Sequence, residues 1–174
     1  MNIPTLETER LILRAYTRED FPAYAAMRAD GEVMRHIGNA EPISEEEAWG
    51  AFVKNPGMWQ FMGFGSWAIV EKESGSFVGG LGYIERRRDR GADLSGVPEM
   101  GWSLVRTAFG KGYATEAVRA ALAWGHDSLG PIRVIALTSE DNFASMRVAE
   151  KCGFREFRRG PSAGRRRVFF ERIL

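Results

Sequence analysis

The chain has one cysteine, two histidines and no long apolar run, and each scarcity argues against a class of protein. Cys152 is the only cysteine among 174 residues, so an internal disulfide is excluded and a secreted, disulfide-stapled domain is not expected. His36 and His126 have no ligand spacing with other metal-binding side chains, so the sequence predicts no metal site. No apolar run approaches the roughly 20 residues of a membrane helix, and the start, MNIPTLETERL, does not resemble a signal peptide. We therefore expect a cytoplasmic protein with no membrane partner.

The charge of the chain is almost balanced. The formal net charge is +1, with 27% charged and 44% hydrophobic residues, as in an ordinary globular protein. The length predicts a single domain over residues 1–174. Arginines cluster at 86–90, 158–159 and 165–167. Because no global positive field accompanies them, solvated loop charge is the favoured interpretation, and contact with an anionic partner such as RNA is the alternative.

Hydrophobic periodicity predicts the order of strands and helices. Strands are expected at 8–14, 65–72, 77–86, 98–105, 132–139, 154–159 and 166–173. Helices are expected at 21–29 behind a capping box at Thr17, from a second capping box at Ser44 to a stop at 55–57, from Ala114 to Gly130, and at 142–151. The polar segment 87–96 is expected to be a loop.

A glycine-bearing loop, FGKGYAT (109–115), leads into the helix that begins near Ala114. A helix N-terminus offers unpaired amides and the positive end of a dipole, which together bind phosphate. Glycine permits positive φ and a close approach of the ligand. The loop is not a P-loop, because Tyr113 follows Gly112 where the motif needs Lys and then a hydroxyl, and a dinucleotide fingerprint would need glycine at 115. An ordinary tight turn is the alternative interpretation of this loop.

Three further features accompany the loop in a fixed order. Glu99 lies on the strand that feeds the loop, NFAS (142–145) begins the next helix, and KCGF (151–154) ends that helix. With these features the sequence resembles the GNAT superfamily of acyl-CoA-dependent N-acetyltransferases, and most closely its RimJ/RimL-like branch. The family signature Q/R-x-x-G-x-G/A maps onto 109–114, with Phe109 at the first position. TERLILR (8–14) and EMGWSL (99–104) also match this branch.

The resemblance implies an α/β (α+β) fold that binds acetyl-CoA. A twisted, mixed and mostly antiparallel sheet of about seven strands would be flanked by helices, and two central parallel strands, here 98–105 and 132–139, would splay apart. The pantetheine arm would pair in the gap with backbone groups of Trp102, Ser103 and Leu104. The pyrophosphate would bind at Phe109, Gly110, Lys111, Gly112, Tyr113, Ala114 and Thr115. Asn142 is implied as a further contact, with a plain helix N-cap as the alternative.

The resemblance also implies catalytic roles. Glu99 matches the strand carboxylate that acts as base in several family members, and a merely solvated glutamate is the alternative. The backbone N–H of Leu104 would stabilise the oxyanion. Many relatives protonate the leaving thiolate with a tyrosine on the last helix, but no tyrosine occurs between 114 and 174. Ser145 is the best substitute, unless its hydroxyl bonds its own helix.

The acceptor region is expected to include aromatic side chains. The first two helices and the sequence after them would cover the acceptor in this family, and they are rich in large rings: Trp49, Trp59, Phe61, Phe64 and Trp67. Such walls would suit an apolar or aromatic acceptor, and an ordinary core is the alternative. Cys152 is interpreted as a buried hydrophobic residue rather than a nucleophile.

These observations predict acetyl transfer from acetyl-CoA to a primary amine, without a metal and within a ternary complex. The amine would belong to a protein N-terminus or to a small molecule. A non-catalytic acyl-CoA-binding or sensing module is one alternative, and a ribosome- or RNA-associated protein is another. Nucleic acid is not the expected partner, and a homodimer would agree with the family.

Overall fold

The computed structural model describes residues 3–86, 94–162 and 164–174. Its strands are β1 (Leu6–Glu7), β2 (Leu11–Arg14), β3 (Ser66–Glu71), β4 (Phe77–Ile84), β5 (Glu99–Leu104), β6 (Arg133–Ser139), β7 (Arg155–Ser162) and β8 (Arg165–Ile173). Its helices are α1 (Phe21–Ala29), α2 (Gly31–Met34), α3 (Glu45–Phe52), α4 (Asn55–Met62), α5 (Tyr113–Leu129) and α6 (Phe143–Lys151). Most of the predicted loop at 87–96 lies outside the described residues.

The described strands form one sheet of eight, in the order β1-β2-β3-β4-β5-β6-β8-β7. Neighbours are antiparallel except β5 and β6, which are parallel. The predicted mixed, mostly antiparallel sheet with helices around it is therefore confirmed. The hairpin of β3 and β4 lies where the sequence predicts it, and the parallel pair lies where the resemblance implies it.

The first strand is shorter than predicted. The segment 8–14 is divided, because Thr8 N–H donates to Leu11 O at 2.9 Å and closes a turn between β1 and β2. Only Leu11–Arg14 is strand in this segment. The turn brings Arg10 toward the start of α5, which matters for the glycine loop.

Three helices differ from the prediction. The Asn55-Pro56-Gly57 segment begins α4 instead of ending a helix, since proline fits the first helical turn, where its missing N–H costs no bond. The preceding helix, α3, ends earlier, at Phe52. The short helix α2 was not predicted, and Asp30 caps it by accepting from Glu32 N–H at 2.8 Å. Both predicted capping boxes, at Thr17 and Ser44, are present.

Helix α5 packs its predicted apolar face against the sheet. Ala117, Val118 and Ala121 are fully buried there. Tyr83 of β4 donates its hydroxyl to Ala121 O at 2.9 Å. A Cβ at Gly125 would overlap that hydroxyl, so only glycine fits this contact. The helix thereby fixes the position of the loop that precedes it.

Candidate active site

Strands β5 and β6 touch at one end and diverge at the other. Their only aligned pair in the described chain is Glu99 with Ile135, where Ile135 N–H donates to Pro98 O at 3.0 Å. On its other side, β5 remains paired with β4 as far as Leu104. The sheet therefore opens into a gap beyond Glu99, which is the splay that the family resemblance implies.

Alternate backbone groups of β5 face this gap. Val105 N–H donates to Val78 O at 2.9 Å, toward β4. Because backbone groups alternate along a strand, those of Ser103 also face β4, whereas those of Trp102 and Leu104 face the gap. Trp102 and Leu104 can therefore pair with an extended ligand as an added strand would. Ser103 can contribute only its side chain.

A cavity of about 540 Å³ occupies the gap and its surroundings. It brings together five residues predicted for the site: Glu99, Trp102, Ser103, Asn142 and Ser145. These residues come from β5 and the start of α6. Leu104 and the glycine loop are not among the residues that line the cavity. Two catalytic candidates and three binding candidates thus share one space.

The glycine loop presents unpaired amides at the start of α5. Gly110 and Gly112 have φ of 75° and 82°, and no side chain caps the helix. Within the described chain, the N–H groups of residues 110–115 donate no hydrogen bond. A Cβ at Gly110 would meet nothing within 4 Å, so the positive φ, not crowding, favours glycine there. Clustered amides at a helix N-terminus suit a pyrophosphate.

Side chains from outside the loop hold it in place. Arg10 donates through Nη1 to Lys111 O at 3.0 Å and through Nε to Glu116 at 2.8 Å. Glu116 also accepts from the Thr8 hydroxyl at 2.6 Å. Burial alone would raise the pKa of Glu116, but these hydrogen bonds outweigh it and lower the pKa below 4.5. Tyr113 donates its hydroxyl to Glu71.

Glu99 is buried rather than solvated. It is 6% exposed, so the alternative of a surface glutamate is wrong. Arg86 Nε lies 3.4 Å from Glu99 Oε1. A buried carboxylate that lines the gap and has a cation beside it can accept a proton from an amine.

The start of α6 combines a cap with a free hydroxyl. Asn142 Oδ1 accepts from Ser145 N–H at 3.1 Å, so Asn142 is a helix N-cap that also lines the cavity. In the described chain the Ser145 hydroxyl has no hydrogen bond to its own helix. It therefore remains available to a ligand.

Aromatic walls were predicted for the acceptor, but the cavity is lined differently. Trp59, Phe64 and Trp67 are buried core residues, while Trp49 and Phe61 are exposed. None of the five is among the described residues that line the cavity. The sequence analysis missed the residues found there instead: Tyr16, Tyr24, Arg28 and Lys54. The one local signal was the four-residue spacing of Tyr24 and Arg28, which puts them on one face of α1.

The remaining candidates make contacts within the fold. Burial raises the pKa of the Cys152 thiol, which is 2% exposed, in line with a hydrophobic role. In the last hairpin, Arg159 pairs with Glu156 and Arg166 pairs with Glu140. Among the described residues, no cluster of three or more His, Cys, Asp or Glu could hold a metal, and no helix is long and apolar enough to cross a membrane.

Comparison with known proteins identifies the family of the chain. The family model for the acetyltransferase (GNAT) domain matches residues 10–155. The chain is 33% identical over 159 residues to the uncharacterized N-acetyltransferase YjdG of Bacillus subtilis, covering 86% of this chain and 88% of the relative. The chain belongs to the GNAT acetyltransferase family. Within this family it falls in the RimJ/RimL-type branch, and it is an N-acetyltransferase.

Solved GNAT structures share the whole fold. An acetyltransferase from Agrobacterium tumefaciens has a TM-score of 0.83 and 29% identity, covering 99% of this chain and 95% of the other. RimL, a ribosomal L7/L12 alpha-N-protein acetyltransferase in complex with coenzyme A, has a TM-score of 0.80 and 17% identity, with 98% of each chain covered. The second likeness shows the fold alone. GNAT enzymes use acetyl-CoA, and the amides of residues 110–115 and the open edge of β5 fit such a ligand.

Proposed function

We propose that this GNAT enzyme transfers acetyl directly from acetyl-CoA to a primary amine, with both substrates bound together. One observation carries the proposal: buried Glu99 and the free hydroxyl of Ser145 line the same cavity, in the gap between β5 and β6. Direct transfer needs a proton acceptor and a proton donor on a single reacting centre, and the cavity offers both. The amine belongs to a small molecule or to a protein N-terminus.

Each step of the transfer has a group suited to it. Glu99 takes a proton from the amine, which becomes nucleophilic. Bound acetyl-CoA supplies a thioester carbon, to which the amine nitrogen bonds. The backbone N–H of Leu104, on the gap side of β5, donates to the oxyanion. The Ser145 hydroxyl donates a proton to the sulfur as the C–S bond breaks. The nitrogen loses its second proton to solvent as the amide forms, solvent reprotonates Ser145, and Glu99 releases its own proton to solvent.

Calorimetric titration of acetyl-CoA tests the binding half of this proposal. We expect the wild type to bind and Gly112→Val to lose at least about tenfold in affinity, because φ of 82° is strained for valine and moves the loop amides. Gly164→Val is the matched control, since Gly164 has φ of 75°, open space around it and a position in the last hairpin. Equal affinity in all three proteins would contradict the loop as the pyrophosphate site.

Thiol release tests the catalytic half. The wild type, supplied with acetyl-CoA and a panel of small amines and amino-terminal peptides, should release CoA thiol with some of them. Binding of acetyl-CoA without turnover on any amine would instead favour an acyl-CoA-binding module. Failure of the wild type to bind acetyl-CoA would overturn the mechanism together with the cosubstrate.

A further inference from the structure

The cavity contains an arginine that the transfer chemistry does not use. Arg28, on α1, lines the same space as Glu99. Its Nε is buried and has no hydrogen-bond partner. Within the described chain, Arg28 is in no ion pair with a carboxylate. A buried guanidinium nitrogen without an acceptor is costly, and an anion that enters the cavity would satisfy it.

Two other cations of the cavity, Arg86 and Arg167, already have partners, which leaves Arg28 and Lys54 available to an anion. Arg86 pairs with Glu99. The guanidinium of Arg167 donates to two backbone carbonyls and a serine hydroxyl, at 3.0 to 3.1 Å. Lys54 lines the cavity just before α4 and has no ion pair in the described chain. Glu99 is the only carboxylate among the described lining residues, and it has Arg86 beside it.

Two phenols accompany Arg28. Tyr16 and Tyr24 line the cavity, and burial raises the pKa of both while the charge of Arg28 opposes the rise. The charge of Arg28 therefore reaches both phenols, which stay protonated at neutral pH and can donate hydrogen bonds. A Cβ at Gly80 would overlap the Tyr16 hydroxyl, so this glycine leaves room for it. Cationic and neutral donors thus gather on one part of the cavity.

We propose that the acceptor carries a carboxylate besides its amine, and that Arg28 binds this carboxylate. The inference rests on the proposed function, because it concerns the acceptor of the same cavity. The ammonium form of the acceptor is attracted to Glu99 and its carboxylate to Arg28, so the two charges orient the amine for transfer. A guanidinium fork also matches a carboxylate in geometry. The substrate class is an amino acid or an amino-terminal peptide with an acidic side chain.

Matched acceptors test the carboxylate directly. The standard α-amino acids are compared with their α-carboxamides, which keep the amine and side chain and lose only the anion. The peptide arm compares Ser-Glu-Ala-Ala amide with Ser-Gln-Ala-Ala amide. We expect kcat/KM for CoA-thiol release to favour the acid of one arm by roughly ten- to hundredfold, as for a hydrogen-bonded charge. A preference among the amino acids identifies a free amino acid as the acceptor, and a preference between the peptides identifies an acidic peptide.

Variants assign the preference to Arg28. Arg28→Met keeps the aliphatic length and removes the charge. In this variant the ratio of kcat/KM for the acid to kcat/KM for the amide should fall toward one. Arg18→Met is the control, since Arg18 is exposed and does not line the cavity, and it should retain the wild-type ratio. Turnover that is equal for acids and amides in the wild type would overturn the inference and leave the proposed function standing.

A binding measurement separates the two possible failures. The same acid and amide pairs are followed by saturation-transfer NMR on protein saturated with CoA, which needs no turnover. Binding that requires both the carboxylate and Arg28 supports the inference, whether or not any amine releases thiol. The absence of thiol release with every amine would then overturn the proposed function alone. Binding that is absent, or indifferent to Arg28, overturns the inference.

Discussion

Arg10 and Glu116 are 106 positions apart in the sequence, yet they meet through two hydrogen bonds. The backbone N–H of Arg10 donates to Oε1 at 2.9 Å, and its Nε donates to Oε2 at 2.8 Å. The same guanidinium binds the Lys111 carbonyl at 3.0 Å. One side chain therefore ties the turn before β2 to the glycine loop and to the first turn of α5. The Lys111 carbonyl is thus occupied, and the amides of the loop remain free for a ligand.

Arg10→Met should weaken acetyl-CoA binding by about tenfold, the order expected for a lost hydrogen bond to a charged group. The reason is that the loop loses the tether on Lys111 and must be ordered when the ligand binds. Calorimetric titration measures the effect, and Arg18→Met, away from the loop, should bind like the wild type. An unchanged dissociation constant for Arg10→Met would show that the loop holds its shape without this contact.

Glu99→Gln should lower kcat/KM by roughly 10²- to 10⁴-fold, the usual contribution of a general base. Glutamine keeps the shape of the buried side chain but cannot take a proton from the amine. Acetyl-CoA affinity should stay near that of the wild type. The matched control is Glu150→Gln on the exposed side of α6. Wild-type kcat/KM in Glu99→Gln would remove Glu99 from the mechanism.

Ser145→Ala should lower kcat by up to about 10²-fold, since the leaving thiolate loses its proton donor. The loss should shrink with an acetyl thioester of a more acidic thiol, because such a thiolate leaves without a proton. Ser128→Ala, at an exposed position of α5, serves as the control. An equal loss with both thioesters would contradict the role of Ser145 as the proton donor.

Gly125→Ala should destabilise the protein by about 1–3 kcal/mol, the typical cost of overpacking a core. The added methyl group would displace the Tyr83 hydroxyl from Ala121 O. Gly57→Ala is the matched helical control, because a Cβ there meets nothing within 4 Å; it should stabilise by roughly 0.5–1 kcal/mol. Urea unfolding measures both, and a destabilisation shared by the two variants would contradict the packing argument.

Stability at acidic pH should depend on Asp20. Burial would raise the pKa of this carboxyl, but two hydrogen bonds from Arg14, at 2.7 and 2.8 Å, and those from Thr17 outweigh it and lower the pKa below 3.8. A depressed pKa in the folded state means that the stabilisation is complete above the unfolded pKa, about 3.9, and is lost as the pH falls through the folded value.

At pH 7 the free energy of unfolding of Asp20→Asn should therefore be about 2 kcal/mol lower than that of the wild type, because Arg14 loses the carboxylate that it pairs with. The variant should also lose less additional stability than the wild type as the pH falls below about 4. Urea unfolding from pH 7 to pH 3 measures the difference. Asp127→Asn, at an exposed position of α5, should keep the wild-type pH dependence, and parallel curves for wild type and Asp20→Asn would contradict the assignment.

Local patterns predicted the elements that depend on local interactions. The hairpin of β3 and β4, the periodic face of α5 and the order of the strands follow from alternation and spacing. The turn at 8–10 was missed because Thr-Glu-Arg has no turn residue; its Thr8 hydroxyl and Arg10 N–H bind Glu116, far along the chain. No local pattern carries such a partner.

The residues of the cavity also fall into those that the sequence could predict and those that it could not. Glu99 and Ser145 could be predicted, since they lie on motifs with a fixed order. Arg28 could not, because its significance depends on the absence of a partner after α1 packs over the gap. The aromatic cluster was assigned to the wrong place because burial in the core and lining of a cavity require the same residue types.

In the described chain, β5 and β6 share a single aligned pair, so the sheet consists of two half-sheets that meet near Glu99. Backbone hydrogen bonds between neighbouring strands usually make a sheet unfold as one cooperative unit. Such bonds are almost absent between β5 and β6, so the two halves depend on the packing of the helices for their connection. A ligand whose amides pair along β5 would act as a temporary strand in the gap between β5 and β6. The acetyl donor would then supply backbone pairing at the place where the described strands of the sheet lack it.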